Sequence, residues 1–148
     1  MMGNILLGLL VMVSCLLVQA MLVVVAIQFY VRNRRLVESP TFGSTLGMIS
    51  TVMVLLVVGN FIQIMIWAGL FMYLDEFTDF ATASYHSAVN FATLGYGDIV
   101  MSEERRILGP MQSINGVLMV GVSTAVVMSA FQDALKRTHE ARQHTENP

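Results

Sequence analysis

Charged residues are scarce in this chain. Asp, Glu, Lys and Arg make up 12% of the 148 residues, whereas soluble domains carry about 25%. The few charges fall in short clusters between long uncharged runs, which indicates a membrane protein rather than a water-soluble domain. No basic patch of the kind that binds nucleic acid is present in the sequence, so nucleic acid is not an expected partner. The single cysteine, Cys15, excludes an intramolecular disulfide.

Long hydrophobic runs cover residues 5–31, 46–74 and 108–130, and none of them contains Asp, Glu, Lys or Arg. Each run exceeds the roughly 20 residues that a helix needs to cross a bilayer core. We therefore predict an all-α integral membrane protein with three transmembrane helices. The missing arginines exclude a voltage sensor of the arginine-rich type. Since no Lys or Arg precedes Ile5 and the first run is long, we expect a retained helix rather than a cleaved signal peptide.

The distribution of charge predicts an orientation. Basic residues follow the first and third runs, and the positive-inside rule places such segments in the cytoplasm. We expect a cytoplasmic linker over 32–45, a short cytoplasmic tail over 133–148 and an external N-terminus, in the plasma (inner) membrane. The opposite side is rich in acids, which either attract cations to that surface or are ordinary loop charges. On this side of the membrane, Ser102 is predicted to cap the following helix, with Glu103 and Glu104 in its first turn.

The segment between the second and third runs is too short to span a membrane. Residues 79–92 are half apolar and carry no charge after Asp79, which predicts a re-entrant helix buried in protein. Its C-terminal end would favour a cation. Residues 93–98 are predicted to be non-helical, because Gly95 and Gly97 adopt left-handed backbone conformations without a Cβ penalty. Alternating conformations would aim successive carbonyl oxygens at one axis, where they can replace the water around a monovalent cation.

Residues 93–98, Thr-Leu-Gly-Tyr-Gly-Asp, resemble the selectivity filter of tetrameric potassium channels, whose usual form is Thr-Val-Gly-Tyr-Gly-Asp. The resemblance is to the small bacterial type with a two-helix pore, here with an extra N-terminal transmembrane helix. It implies a homotetramer around one central pore. The implied parts of each subunit are an extra helix over 1–31 and a pore domain over 46–132, made of an outer helix over 46–74, a pore helix over 79–92, a filter over 93–98 and an inner helix over 103–132.

The resemblance also implies roles for individual residues. The potassium ligands would be the carbonyl oxygens of four successive filter residues, together with the Thr93 hydroxyl. Gly116 stands near the position of the family's gating-hinge glycine, and close packing of small residues is the alternative interpretation. The expected ligands are Thr93, Leu94, Gly95 and Tyr96, and the expected filter supports are Gly97, Asp98 and Tyr85.

Four positions depart from the usual family pattern. Leu94 replaces valine, Ala92 replaces a common threonine, and Val89 stands where some relatives carry a glutamate that pairs with the filter aspartate. Tyr85 stands at the position of a tryptophan that can hold this aspartate. We therefore predict a hydrogen bond from the Tyr85 hydroxyl to Asp98.

The predicted function is passive, selective permeation of potassium. The alternatives are a weakly selective monovalent cation channel and a non-conducting scaffold or accessory subunit with a channel fold. We expect no enzymatic activity and no cofactor, and the expected partners are copies of the same chain, the lipid bilayer and potassium ions. His86 is predicted to be a packed, neutral histidine rather than a pH sensor.

Overall fold

The computed structural model describes residues 2–34 and 42–146, with side chains over 2–33 and 43–137. Throughout these residues the regular structure is helical, and the predicted all-α architecture with three potential spans is confirmed. The helices are α1 (Met2–Arg34), α2 (Phe42–Tyr73), α3 (Phe80–Phe91) and α4 (Leu108–Glu146). Three of them are long and apolar enough to cross a membrane, over Met2–Asn33, Gly43–Tyr73 and Leu108–Arg137.

The last helix differs most from its predicted bounds. Residues 103–107 form turns, so α4 begins at Leu108 rather than at 103. It then continues through the segment predicted as a tail, where Arg137 Nε lies 2.9 Å from Asp133 Oδ2. Residues 35–41 of the predicted linker lie outside the described residues.

The chain divides into two compact units, each of which contains parts of α1, α2 and α4. The first unit comprises Met1–Ala20 and Gly59–Gly121. In its core, Val11 and Cys15 of α1 pack with Trp67 and Phe71 of α2 and with Leu108 of α4. The first half of α1 is thus part of the same packed unit as α3 and the segment 93–98.

A buried amide pair also joins α1 to α2 in the first unit. Gln63 Nε2 donates to Gln19 Oε1 at 2.7 Å, and both side chains are buried. Such a bond is the usual role of polar residues inside apolar helices, where each amide needs a partner.

The second unit comprises Met21–Val58 and Val122–Pro148. Its buried core consists of Ala26, Tyr30, Val52, Leu56 and Ala130. The Tyr30 hydroxyl lies 3.2 Å from the carbonyl oxygen of Ala130 and 3.0 Å from Asp133 Oδ2. This hydroxyl therefore attaches α1 to the C-terminal part of α4.

Candidate functional site

The short helix α3 begins at a well-formed cap. Asp79 Oδ1 accepts from the Thr82 backbone N–H at 2.9 Å, and the Thr82 hydroxyl donates to Asp79 Oδ2 at 2.6 Å. These bonds hold the pKa of Asp79 below its ordinary value, because they favour the charged carboxylate. The predicted helix over 79–92 is therefore observed as Phe80–Phe91, with Asp79 and Ala92 as its two caps.

The other end of α3 closes in a Schellman motif. The Leu94 N–H donates to the Val89 carbonyl and the Thr93 N–H to the Asn90 carbonyl, both at 2.9 Å. The motif needs one residue in the left-handed region, usually glycine, and here that residue is Thr93, with φ of 59°. A β-branched residue is rare in this conformation. Sequence reasoning missed this feature, since the two glycines were the expected left-handed positions.

The backbone of residues 93–97 alternates in the sign of φ. Gly95 has φ of 57° and Gly97 has φ of 74°, so together with Thr93 every second residue is left-handed. Leu94 and Tyr96 between them do not have positive φ. The alternation predicted from the glycines is confirmed and extends one residue further back, to Thr93.

The apolar side chains of this segment are exposed in the single chain. All residues from Ala92 to Asp98 are exposed, including Leu94 at 54% and Tyr96 at 65% of their full accessible area. Beside them lies a groove of about 730 Å³ whose lining includes Gly95, Val100 and Ile114. An exposed leucine and tyrosine next to an apolar groove form a surface suited to burial against another protein chain.

The predicted hydrogen bond between α3 and Asp98 is present. The Tyr85 hydroxyl donates to Asp98 Oδ2 at 2.7 Å, and Oδ1 of the same carboxylate accepts from the Ile99 N–H at 3.0 Å. The bond from Tyr85 is the main reason that the pKa of Asp98 lies below its ordinary value. The carboxylate is thus held at the C-terminal end of the segment, and a role in filter stability stays a prediction.

His86 lies under the same end of the segment. Its ring is 7% exposed and packs against Phe71 and Phe77, with ring centroids 5.6 and 5.0 Å away. Nδ1 lies 3.0 Å from the Ile99 carbonyl oxygen and Nε2 lies 2.9 Å from Asn90 Nδ2. Burial lowers the pKa of His86 despite the nearby carboxylates. The packed, hydrogen-bonded histidine predicted from sequence is therefore observed, and the lowered pKa favours the predicted neutral form.

A buried carboxylate ties the end of α2 to the chain that follows residue 98. The side chain of Glu76 is only 3% exposed. It accepts from the Ser102 N–H at 2.8 Å, from the Ser102 hydroxyl at 2.7 Å and from Arg105 Nη1 at 3.0 Å. Burial alone would raise the pKa of Glu76, but these bonds outweigh it and the pKa lies below its ordinary value.

This cluster corrects one sequence-based prediction. Ser102 was expected to cap the inner helix, but its N–H and hydroxyl both bind Glu76, and the helix starts six residues later. Of the two interpretations left open for the acids on this side, the contacts of Glu76 favour a structural charge over one that attracts cations, because Ser102 and Arg105 enclose its carboxylate.

Helix α4 contacts α3 through small and polar side chains. The Ser113 hydroxyl donates to the Asn90 carbonyl at 2.9 Å, and Gln112 Nε2 donates to the Ser87 carbonyl at 3.0 Å. Gly116 is the closest contact, since a Cβ at this position would lie 2.1 Å from the Phe91 carbonyl oxygen. The structure thus places Gly116 at a backbone crossing, which favours the packing interpretation over the hinge.

Comparison with known proteins matches residues 60–133, half of the chain, to the family described as ion channel. No curated protein and no solved structure gives a significant match. The matched range contains α3, the segment 93–98 and the apolar part of α4, which contacts α3. With its three apolar helices, the chain is a multi-pass membrane protein that belongs to the ion channel family.

Proposed function

We propose that this protein is a potassium-selective channel, in which four copies of the chain surround one pore. The observation that carries the proposal is the left-handed conformation of Thr93, Gly95 and Gly97 directly after a short helix. A backbone that alternates in handedness can present successive carbonyl oxygens on one side. Such a row replaces the hydration shell of a dehydrated cation.

The potassium ligands in this proposal are backbone oxygens. They are the carbonyl oxygens of Thr93, Leu94, Gly95 and Tyr96, joined by the Thr93 hydroxyl. Leu94 keeps the carbonyl of the usual valine, so the ligand row is complete despite the substitution. Potassium is the transported ion, no cofactor takes part, and transport runs down the electrochemical gradient.

The homotetramer is supported by the exposure of the segment. A single strand of carbonyls cannot enclose an ion, whereas four related strands form a ring. Leu94 and Tyr96 are 54% and 65% exposed in one chain, and a groove of about 730 Å³ lies next to the segment. Neighbouring copies would cover these apolar side chains and shield the ion pathway from lipid.

The proposed orientation follows the charge distribution. In the plasma (inner) membrane, the basic clusters at the end of α1 and near the end of α4 face the cytoplasm, and the N-terminus and residues 75–106 face the outside. The filter then opens to the outer side, with Asp98 at its outer end.

The test is potassium flux into liposomes that contain wild type or Gly95→Ala. Within one chain a Cβ at residue 95 meets no atom within 4 Å, so the substitution there acts through the left-handed backbone, at about 1–2 kcal/mol in each subunit. We expect flux in wild type and its loss in the variant. Gly69→Ala is the matched control, because it also adds a methyl group in open space but at a residue without positive φ.

Three outcomes would contradict the proposal. Equal flux in wild type and Gly95→Ala would contradict a carbonyl filter at this segment. A reversal potential that does not distinguish potassium from sodium would indicate a weakly selective cation pore. No flux in a verified wild-type tetramer would indicate a scaffold or accessory subunit.

A further inference from the structure

Two neighbouring residues of α3 bind two neighbouring residues beyond the glycines. Tyr85 donates to the carboxylate of Asp98 at 2.7 Å, and His86 Nδ1 lies 3.0 Å from the carbonyl oxygen of Ile99. The first contact is exposed, whereas the second is made by a ring that is 7% exposed. Only the second contact is therefore well protected from competition by water.

The partners of His86 determine its protonation state. The Ile99 carbonyl can only accept, so Nδ1 must carry the proton and donate it. Asn90 Nδ2 can only donate, so Nε2 must be unprotonated and accept. Neutral His86 in the Nδ1–H form satisfies both contacts, whereas the imidazolium would turn an N–H toward the N–H donors of Asn90.

The surroundings fix the ring in this orientation. Phe71 and Phe77 pack against it, with centroids 5.6 and 5.0 Å away. Asn90 is itself held on α3, where its backbone carbonyl accepts from Ser113. The path Asn90–His86–Ile99 therefore connects the end of α3 to the chain directly after Asp98.

We propose that His86 is a positioning residue, which as a neutral imidazole fixes the Ile99 carbonyl and with it the outer end of the filter. The inference rests on the proposed function, since it assigns a support to that same filter. In this role His86 replaces the glutamate–aspartate pair of some relatives, which this chain cannot form because residue 89 is a valine.

The charged groups around the ring shape its response to acid. Asp98 and Glu76 act on His86 through space and favour its charged form, while burial opposes it and lowers its pKa. Glu103 and Arg106 line the same groove as His86, with opposite charges. The contact of Nε2 with Asn90, which holds the ring in place under the Ile99 carbonyl, is therefore kept at neutral pH and lost as the pH falls through this lowered pKa.

The experiment records potassium currents in planar bilayers while the solution on the filter side is acidified. We expect the sustained current of wild type to fall with acid. His86→Phe keeps an aromatic ring between Phe71 and Phe77 but removes both hydrogen bonds, so its current should decay quickly at every pH. Asn90→Asp gives Nε2–H an acceptor, so the charged ring keeps both hydrogen bonds and we expect the current of this variant to persist when the solution is acidified. The double variant His139→Gln, His144→Gln is the control, and its profile should match wild type.

A second measurement does not depend on conduction. Nitrogen NMR of reconstituted protein labelled at histidine reports the tautomer of His86, assigned by its absence in His86→Phe. We expect protonated Nδ1 and unprotonated Nε2 at pH 7. An Nε2–H or charged ring at pH 7, or a pH profile and current decay in His86→Phe equal to wild type, would overturn the inference. A wild type without current would instead refute the proposed function, and the NMR result would still decide the state of His86.

Discussion

Replacing Gly116 with alanine separates two roles for this glycine. A hinge glycine supplies flexibility, so alanine would change gating and leave the folded protein stable. A glycine at a helix crossing instead lets the two backbones approach closely. A Cβ at residue 116 would lie 2.1 Å from the Phe91 carbonyl oxygen and 3.0 Å from Phe91 Cα. The neighbour is backbone rather than the end of a flexible side chain. To restore ordinary contact, α3 and α4 must move apart by more than 1 Å.

The size of the effect follows from this overlap. Forcing extra atoms into a packed contact costs about 1–3 kcal/mol, and a clash with backbone belongs at the upper end of that range. For a chain of this length, about 3 kcal/mol lowers the melting temperature by roughly 6–12 °C. We expect this loss in thermal unfolding of the purified protein in detergent. The separation should also disturb the Ser113–Asn90 bond beside it.

Gly121→Ala is the matched control for this measurement. It lies on the same helix, and a Cβ there meets no atom within 4 Å. Alanine is a better helix former than glycine by about 1 kcal/mol, so this variant should melt at or above the wild-type temperature. If Gly116→Ala melts like wild type while its open times change, the crossing interpretation is refuted and Gly116 is a hinge.

Two further predictions concern the outer end of the segment 93–98. Tyr85→Phe removes the hydrogen bond to Asp98 and keeps the ring, so the sustained potassium current should decay faster than in wild type. Single-channel records with an unchanged decay would show that Tyr85 does not support the filter. Glu76 has a lowered pKa in the folded protein, so its contribution to stability is present above its ordinary pKa and is lost as the pH falls through the lowered value. Glu76→Gln should therefore be less stable than wild type at neutral pH and lose less stability on acidification. The measurement is the melting temperature as a function of pH, with Glu103→Gln, at an exposed residue, as the control. Parallel curves for Glu76→Gln and wild type would contradict this reasoning.

Local sequence patterns predicted the features that depend on neighbouring residues. The three apolar helices follow from run length, α3 follows from a short half-apolar segment after Asp79, and the left-handed positions at residues 95 and 97 follow from glycine. The Tyr85–Asp98 bond came from a resemblance to a known family and is present at 2.7 Å.

The features that were missed depend on contacts between distant residues. Ser102, Glu103 and Glu104 match the local rules for a helix start, but Glu76, 26 residues earlier, takes both donors of Ser102. Nothing near Gly116 in the sequence shows that the Phe91 carbonyl crosses it. The left-handed conformation of Thr93 was not predicted because β-branched residues rarely adopt it. The end of α3 imposes this conformation here.

The position of Thr93 makes the length of α3 inseparable from the start of the segment 93–98. One residue completes the Schellman motif and also begins the alternating backbone, so no spacer exists that can absorb a change in length. An inserted or deleted residue in α3 would rotate its end by about 100°, because a helix turns once in 3.6 residues. Evolution of this region is therefore expected to proceed by substitution, with the twelve-residue length of α3 as fixed as the glycines themselves.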